Sequence, residues 1–111
     1  MRPSKRSDNA YISDILEACA HILSNVGNMS MPRFVENRLL RDSVTLQLII
    51  IGEASNKLSE GFKEQHPDIL WKDIISLRHL LVHKYWQVDI MKLWEIVQDD
   101  IPVLYSSMTE R

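Results

Sequence analysis

The sequence predicts an all-α protein, an antiparallel bundle of four to five helices forming one domain over residues 1–111, and three observations carry that prediction. Apolar residues recur at three- and four-residue spacing along most of the chain, which draws stripes on helices. No segment alternates apolar and polar residues as a half-buried strand does, and no repeat, low-complexity tract or linker interrupts the chain. A length of 111 residues suits a single core.

The first helix is read from Asp8 to Val26, with Ile12, Ile15, Leu16, Cys19, Ile22, Leu23 and Val26 on one stripe. Ser7 or Asp8 can cap its start, and Gly27-Asn28 offers the positive backbone angle that commonly ends a helix. Pro32 suits the first turn of a second helix, which runs through Phe34, Leu39, Val44, Leu48, Ile51 and Leu58 to a stop at Gly61. At 1.5 Å per residue it spans on the order of 40 Å. The run Leu46 to Ile51 covers more than one face, so this helix is expected to be buried in its own bundle and against a partner chain. Gly52 weakens a helix at mid-run, and the usual compensation is close approach by another backbone or bulky group. Phe62 to Leu70 contains His66-Pro67-Asp68 and reads as a loop. A third helix starts near Trp71 and carries Ile74, Ile75, Leu77, Leu80, Leu81 and Val82. A fourth begins at Asp89, a plausible N-cap, and continues to about Asp100, where Pro102 ends or kinks it.

Composition excludes several classes. The apolar fraction is 45% and no apolar run approaches the roughly 20 residues of a membrane span. The basic start MRPSKRSDN is followed by an amphipathic pattern, without the apolar stretch of a secretory signal. Cys19 is the single cysteine, which suits a reducing cytoplasm and reads as a buried small side chain. A net charge of -2 argues against a general nucleic-acid coat, since non-specific affinity comes from cations that neutralise phosphates. Any RNA contact is therefore local. Arg78, His79, His83 and Lys84 provide such a locality, while Asp89, Glu95, Asp99 and Asp100 make the next segment acidic.

Within LRHLLVHKYW, Arg78 and Tyr85 fall on nearly the same helical face, while His83 is about 140° from Arg78. One straight helix cannot bring all three together, but two copies packed across a two-fold axis can place Arg and His in one groove. Such a group suits RNA transesterification without a metal, in which a ribose 2′-hydroxyl attacks the neighbouring phosphorus. Histidine titrates at about 6.5, close to cellular pH. Arginine presents a planar, permanently charged fork to phosphate oxygens. On spacing alone, the same residues also suit a helix end where His83 and Lys84 complement the macrodipole.

The run from Asp42 to Pro102 resembles the HepT-like branch of the HEPN superfamily. The resemblance is carried by Arg78, His79, His83 and Tyr85, in the order arginine, polar residue, three variable residues, histidine, one residue, tyrosine. Ile51-Gly52-Glu53-Ala54, the His66-Pro67 loop and Trp71 also match. The resemblance implies a toxin of a toxin-antitoxin system, an endoribonuclease working as a homodimer with its site at the dimer interface. It implies Arg78 and His83 as the catalytic pair, His79 as a polar accessory and Glu53 as the organiser of Arg78. Its implied partner is a nucleotidyltransferase antitoxin that transfers AMP from ATP onto Tyr85, placing charge and bulk beside the arginine. No cofactor is implied.

Two other readings remain open from the sequence. His79 and His83 have the spacing of a two-histidine metal pair, although no HExxH motif or third ligand accompanies them. His21 and His66 read as a helix-face residue and a loop residue. The rival from another class is a non-enzymatic helical dimer that binds the nucleotidyltransferase or a nucleotide. Trp71, Trp86 and Trp94 fit a partner surface, but core packing explains them more simply.

Overall fold

The computed structural model describes residues 6–110, so most of the basic amino-terminal run read above lies outside the described residues. The described chain is helical and contains no strand. Helix α1 spans Asp8–Val26, as its apolar stripe predicts. The Ser7 hydroxyl accepts a hydrogen bond from the Ala10 N–H at 3.3 Å, and Gly27 ends the helix at φ 54°, where a side chain would be strained. Asp8 takes a different part. Its carboxylate accepts from the Ser59 N–H at 2.9 Å and from the Ser59 hydroxyl at 2.6 Å, tying the start of α1 to a turn far along the chain.

The long second helix expected from Pro32 to Gly61 is three helices. Helix α2 covers Met31–Glu36, α3 covers Arg38–Lys57 and α4 covers Glu60–Glu64. The break after α2 is made by Asn37, whose side-chain oxygen accepts from the Leu40 N–H at 3.0 Å and so caps α3. The break after α3 comes at Leu58, which turns extended and stays buried, while the Ser59 hydroxyl accepts from the Phe62 N–H at 3.1 Å to start α4. Part of the expected Phe62–Leu70 loop is therefore helical. The remainder is loop as expected, pinned by the Trp71 indole N–H donating to the His66 carbonyl at 3.2 Å and by the Phe62 ring beside His66.

Helix α5 covers Trp71–His83, and a 3-10 turn follows at Tyr85–Gln87. Asp89 caps α6, Ile90–Glu95, accepting from the Met91 N–H at 2.9 Å. A π turn at Ile96–Asp100 then runs straight into α7, Ile101–Thr109. Pro102 thus does not end the helix. The wider turn resets the hydrogen-bond register, so proline falls in the first turn of α7, where a missing N–H costs nothing.

Helix α3 is the centre of the bundle, with α1 on one side and α5 on the other, and α7 packs on α1. The core is built from Ile12, Ile15, Ile22, Phe34, Ile51 and Met108, all essentially without solvent contact. Phe34 meets the Trp94 ring at 5.2 Å, which seats α2 against α6. Between α5 and the last helix lies an open apolar groove of about 370 Å³, floored by Leu48 and Ile51. Asp100 lines it, and partial desolvation raises its carboxyl, with Asp99, Glu95 and Asp73 adding to the effect and Lys92 opposing it. Among the described residues no helix is long and apolar enough to cross a membrane.

Cys19 is fully buried in this core, and burial pushes its thiol up to about 12. An unfolded thiol ionises from about pH 8.5. Above that value the unfolded chain releases a proton that the folded chain keeps, so stability falls as pH rises and is untouched by this group at neutral pH. Urea unfolding from pH 8 to pH 10.5 will show this decline, and Cys19→Ala will lessen its slope by up to about 1.4 kcal/mol per pH unit. An unchanged slope would mean that Cys19 ionises in the native protein.

Candidate active site

The candidate site is assembled where α3 and α5 come closest. Gly52 sits in α3 with Ile74 and Arg78 of α5 directly over it. A Cβ at position 52 would overlap the Arg78 Cβ, lie 2.9 Å from its Cγ and 3.2 Å from the Ile74 carbonyl oxygen. This is the close approach that the mid-helix glycine leads one to expect. It brings the stem of Arg78 flat against the α3 backbone, one residue from Glu53.

Arg78 and Glu53 consequently pair, with Nη2 2.8 Å from Oε2. Both side chains remain partly open to solvent, so the pair contributes on the order of 1 kcal/mol or less to stability. Its effect is geometric: it fixes the direction of a guanidinium fork that has five N–H groups, leaving others free to meet an anion. The Arg78 Nε is buried and has no hydrogen-bond partner among the described residues.

His79 and His83 project from the exposed side of α5, their ring centroids 4.6 Å apart and their planes inclined at 51°. Among the described residues no group of three His, Cys, Asp or Glu side chains is gathered that could hold a metal ion. His83 is the last residue of α5. Lys84 leaves the helical region at φ -143°, ψ 46°, and its N–H closes the helix on the Leu80 carbonyl at 2.7 Å. The expectation that Tyr85 shares a helical face with Arg78 is therefore corrected, because the helix ends before Tyr85. The 3-10 turn is held by the Gln87 N–H on the Lys84 carbonyl at 2.9 Å and the Val88 N–H on the Tyr85 carbonyl at 3.1 Å.

Of the residues singled out from sequence, the structure brings Arg78 to Glu53 and His79 to His83. Tyr85 stands beyond the helix end beside Trp86, with ring centroids 5.6 Å apart and planes at 81°. Trp86 is the aromatic that sequence reasoning misplaced. It is 67% exposed, whereas Trp71 is buried and Trp94 packs on the core. The signal was its position outside the helix, between the polar residues Lys84 and Gln87.

The described helical bundle thus carries on α5 the arginine and histidines of the motif that resembles the HEPN superfamily. A family model described as "Ribonuclease HepT-like" matches residues 15–110. The chain belongs to this family of HepT-like ribonucleases, whose members are endoribonucleases. Relatives whose names propose an RNase include a Methanocaldococcus jannaschii protein, 37% identical over 99 residues and covering 89% of this chain and 91% of its own length. A Thermococcus cleftensis protein, whose name proposes a HepT ribonuclease, is 37% identical over 100 residues, covering 90% of this chain and 91% of its own. One from Caldanaerobacter subterraneus subsp. tengcongensis is 31% identical over 105 residues, covering 95% and 94%. No solved structure matches the chain significantly.

Gly52→Ala separates propensity from packing. In an open helix the change would stabilise by up to about 1 kcal/mol. Here the overlap with Arg78 prevails, and a loss of about 1–3 kcal/mol is expected in urea unfolding. A gain in stability would show that α5 sits further from α3 than described.

Proposed function

We propose that this chain is the toxin of a toxin-antitoxin system, a metal-independent endoribonuclease whose Arg78 and His83 cleave RNA at the interface of a homodimer. The observation that carries the reading is the Arg78–Glu53 pair, a partly exposed guanidinium held in a fixed direction on the helix that ends in His83. Ribonuclease is also what the names of its relatives propose.

In the reaction, the 2′-hydroxyl gives its proton to a neutral His83 as O2′ bonds to phosphorus. The P–O5′ bond breaks, and the 5′ oxygen takes a proton, leaving a 2′,3′-cyclic phosphate and a 5′-hydroxyl. Arg78 binds the phosphate oxygens as negative charge gathers on them. His79 orders the neighbouring imidazole through their ring contact. Because Arg78 and His83 diverge around α5, the second copy supplies what one chain cannot converge, and one His83 from each copy serves as base and acid. An apolar stripe supports this assembly: Leu39 and Leu46 are exposed on α3 at seven-residue spacing, and Glu53 follows Leu46 at the same interval.

We assign neutralisation to Tyr85, which is 68% exposed in the turn just beyond the same helix. A nucleotidyltransferase antitoxin can reach that phenol. Its oxygen attacks the α-phosphorus of ATP, pyrophosphate leaves, and the resulting AMP adds an anionic, bulky group to the turn that follows His83.

Purified, unmodified protein in excess EDTA will cleave total cellular RNA to cyclic phosphate ends. Arg78→Ala and His83→Ala will each lower the rate by at least about 100-fold while circular dichroism and sedimentation stay unchanged. Cleavage that survives both substitutions removes the catalytic assignment. Incubation with the cognate nucleotidyltransferase and ATP will add the mass of AMP to the wild type and not to Tyr85→Phe. A wild type of unchanged mass sinks the modification.

A further inference from the structure

We infer that Trp86 is a nucleobase-stacking subsite, on which an unpaired base of a single-stranded RNA next to the cleaved phosphodiester is held by its π-face. The inference rests on the ribonuclease reading and adds to it the part of the substrate that the Arg and His residues do not address.

Exposure is the first argument. Indoles bury large apolar areas, and the other two tryptophans of this chain do so, Trp71 at the start of α5 and Trp94 against Phe34. Trp86 is two-thirds exposed in a hydrogen-bonded 3-10 turn, so it is displayed by defined backbone. Its ring contact among the described residues is with Tyr85, in a perpendicular arrangement. With two-thirds of the residue open to solvent, the perpendicular Tyr85 ring leaves indole surface available for a flat partner.

Charge is the second argument. The chain carries a net charge of -2, and along the segment from Arg78 to Gln87 the Lys and Arg residues are Arg78, which pairs with Glu53, and Lys84. Each phosphate neutralised gives a single strand affinity that falls with salt, and two such side chains make the contribution of this segment small. Binding through this segment therefore gains from a non-ionic component. Stacking of bases on aromatic side chains supplies one, tolerates any base, and requires the unstacked strand that the 2′-hydroxyl reaction also requires. Trp86 lies three residues after His83, on the chain that leaves the helix, with Lys84 between them to meet a phosphate.

The test uses the full, unmodified chain and a short 2′-O-methyl RNA, which cannot be cleaved, beside an abasic strand with the same number of phosphates. The wild type will bind the base-bearing strand about tenfold or more tightly than the abasic one, with quenching of exposed tryptophan fluorescence. Trp86→Ala will abolish that preference and leave abasic binding unchanged, and Trp86→Phe will restore most of it. Equal affinity of the wild type for both strands overturns the inference, as does a preference that survives Trp86→Ala. A Trp86→Ala chain that dissociates into monomers in sedimentation also overturns it, since the indole then belongs to the contact between copies. Cleavage is assayed separately: base-dependent binding without cleavage removes the ribonuclease reading alone, and cleavage without base-dependent binding removes the subsite alone.

Discussion

The close approach of α3 and α5 at Gly52 is the constraint from which the site follows. Two helices can meet this tightly only where one presents no side chain, and Gly52 is that position, with Arg78 and the Ile74 carbonyl lying over it. The approach serves packing and chemistry together. It seats α5 on the central helix, and it delivers the Arg78 stem to a place where the next residue of α3, Glu53, can hold the guanidinium. The cost of a glycine in the middle of a helix, about 1 kcal/mol against alanine, is offset by the contact it permits.

What the ion pair contributes is direction more than stability. A partly exposed pair adds little free energy in water, but it fixes the direction in which the guanidinium fork points. The end of α5 completes the arrangement. His83 closes the helix, Lys84 turns the chain away, and the 3-10 turn carries Tyr85 and Trp86 outward. Arg78, His83, Tyr85 and Trp86 thus lie within one short segment of the chain.

Local signals account for what was legible in advance and for what was misread. The bounds of α1 were legible because Ser7 and Gly27 act on their immediate neighbours, and the start of α5 because Trp71 follows a proline-containing loop. Asn37 was passed over because apolar residues continue on both sides of it, and periodicity does not register a cap that interrupts a helix for a single residue. Pro102 was overvalued for the reverse reason: its disruption depends on its place in the turn, and the preceding π turn moves it to a harmless one.

The sequence by itself determined the helical class, the apolar stripes and the motif of Arg78, His79, His83 and Tyr85, since each is a matter of residue type at short spacing. Tertiary structure decided which of those residues meet. Arg78 finds Glu53 only because α3 and α5 pack through Gly52, and Asp8 finds Ser59 only because α1 lies along α3. It also decided that Tyr85 leaves the face of Arg78 and that Trp86 turns outward. Both follow from where a helix stops, which is set by the path the chain must take to reach its next packed element.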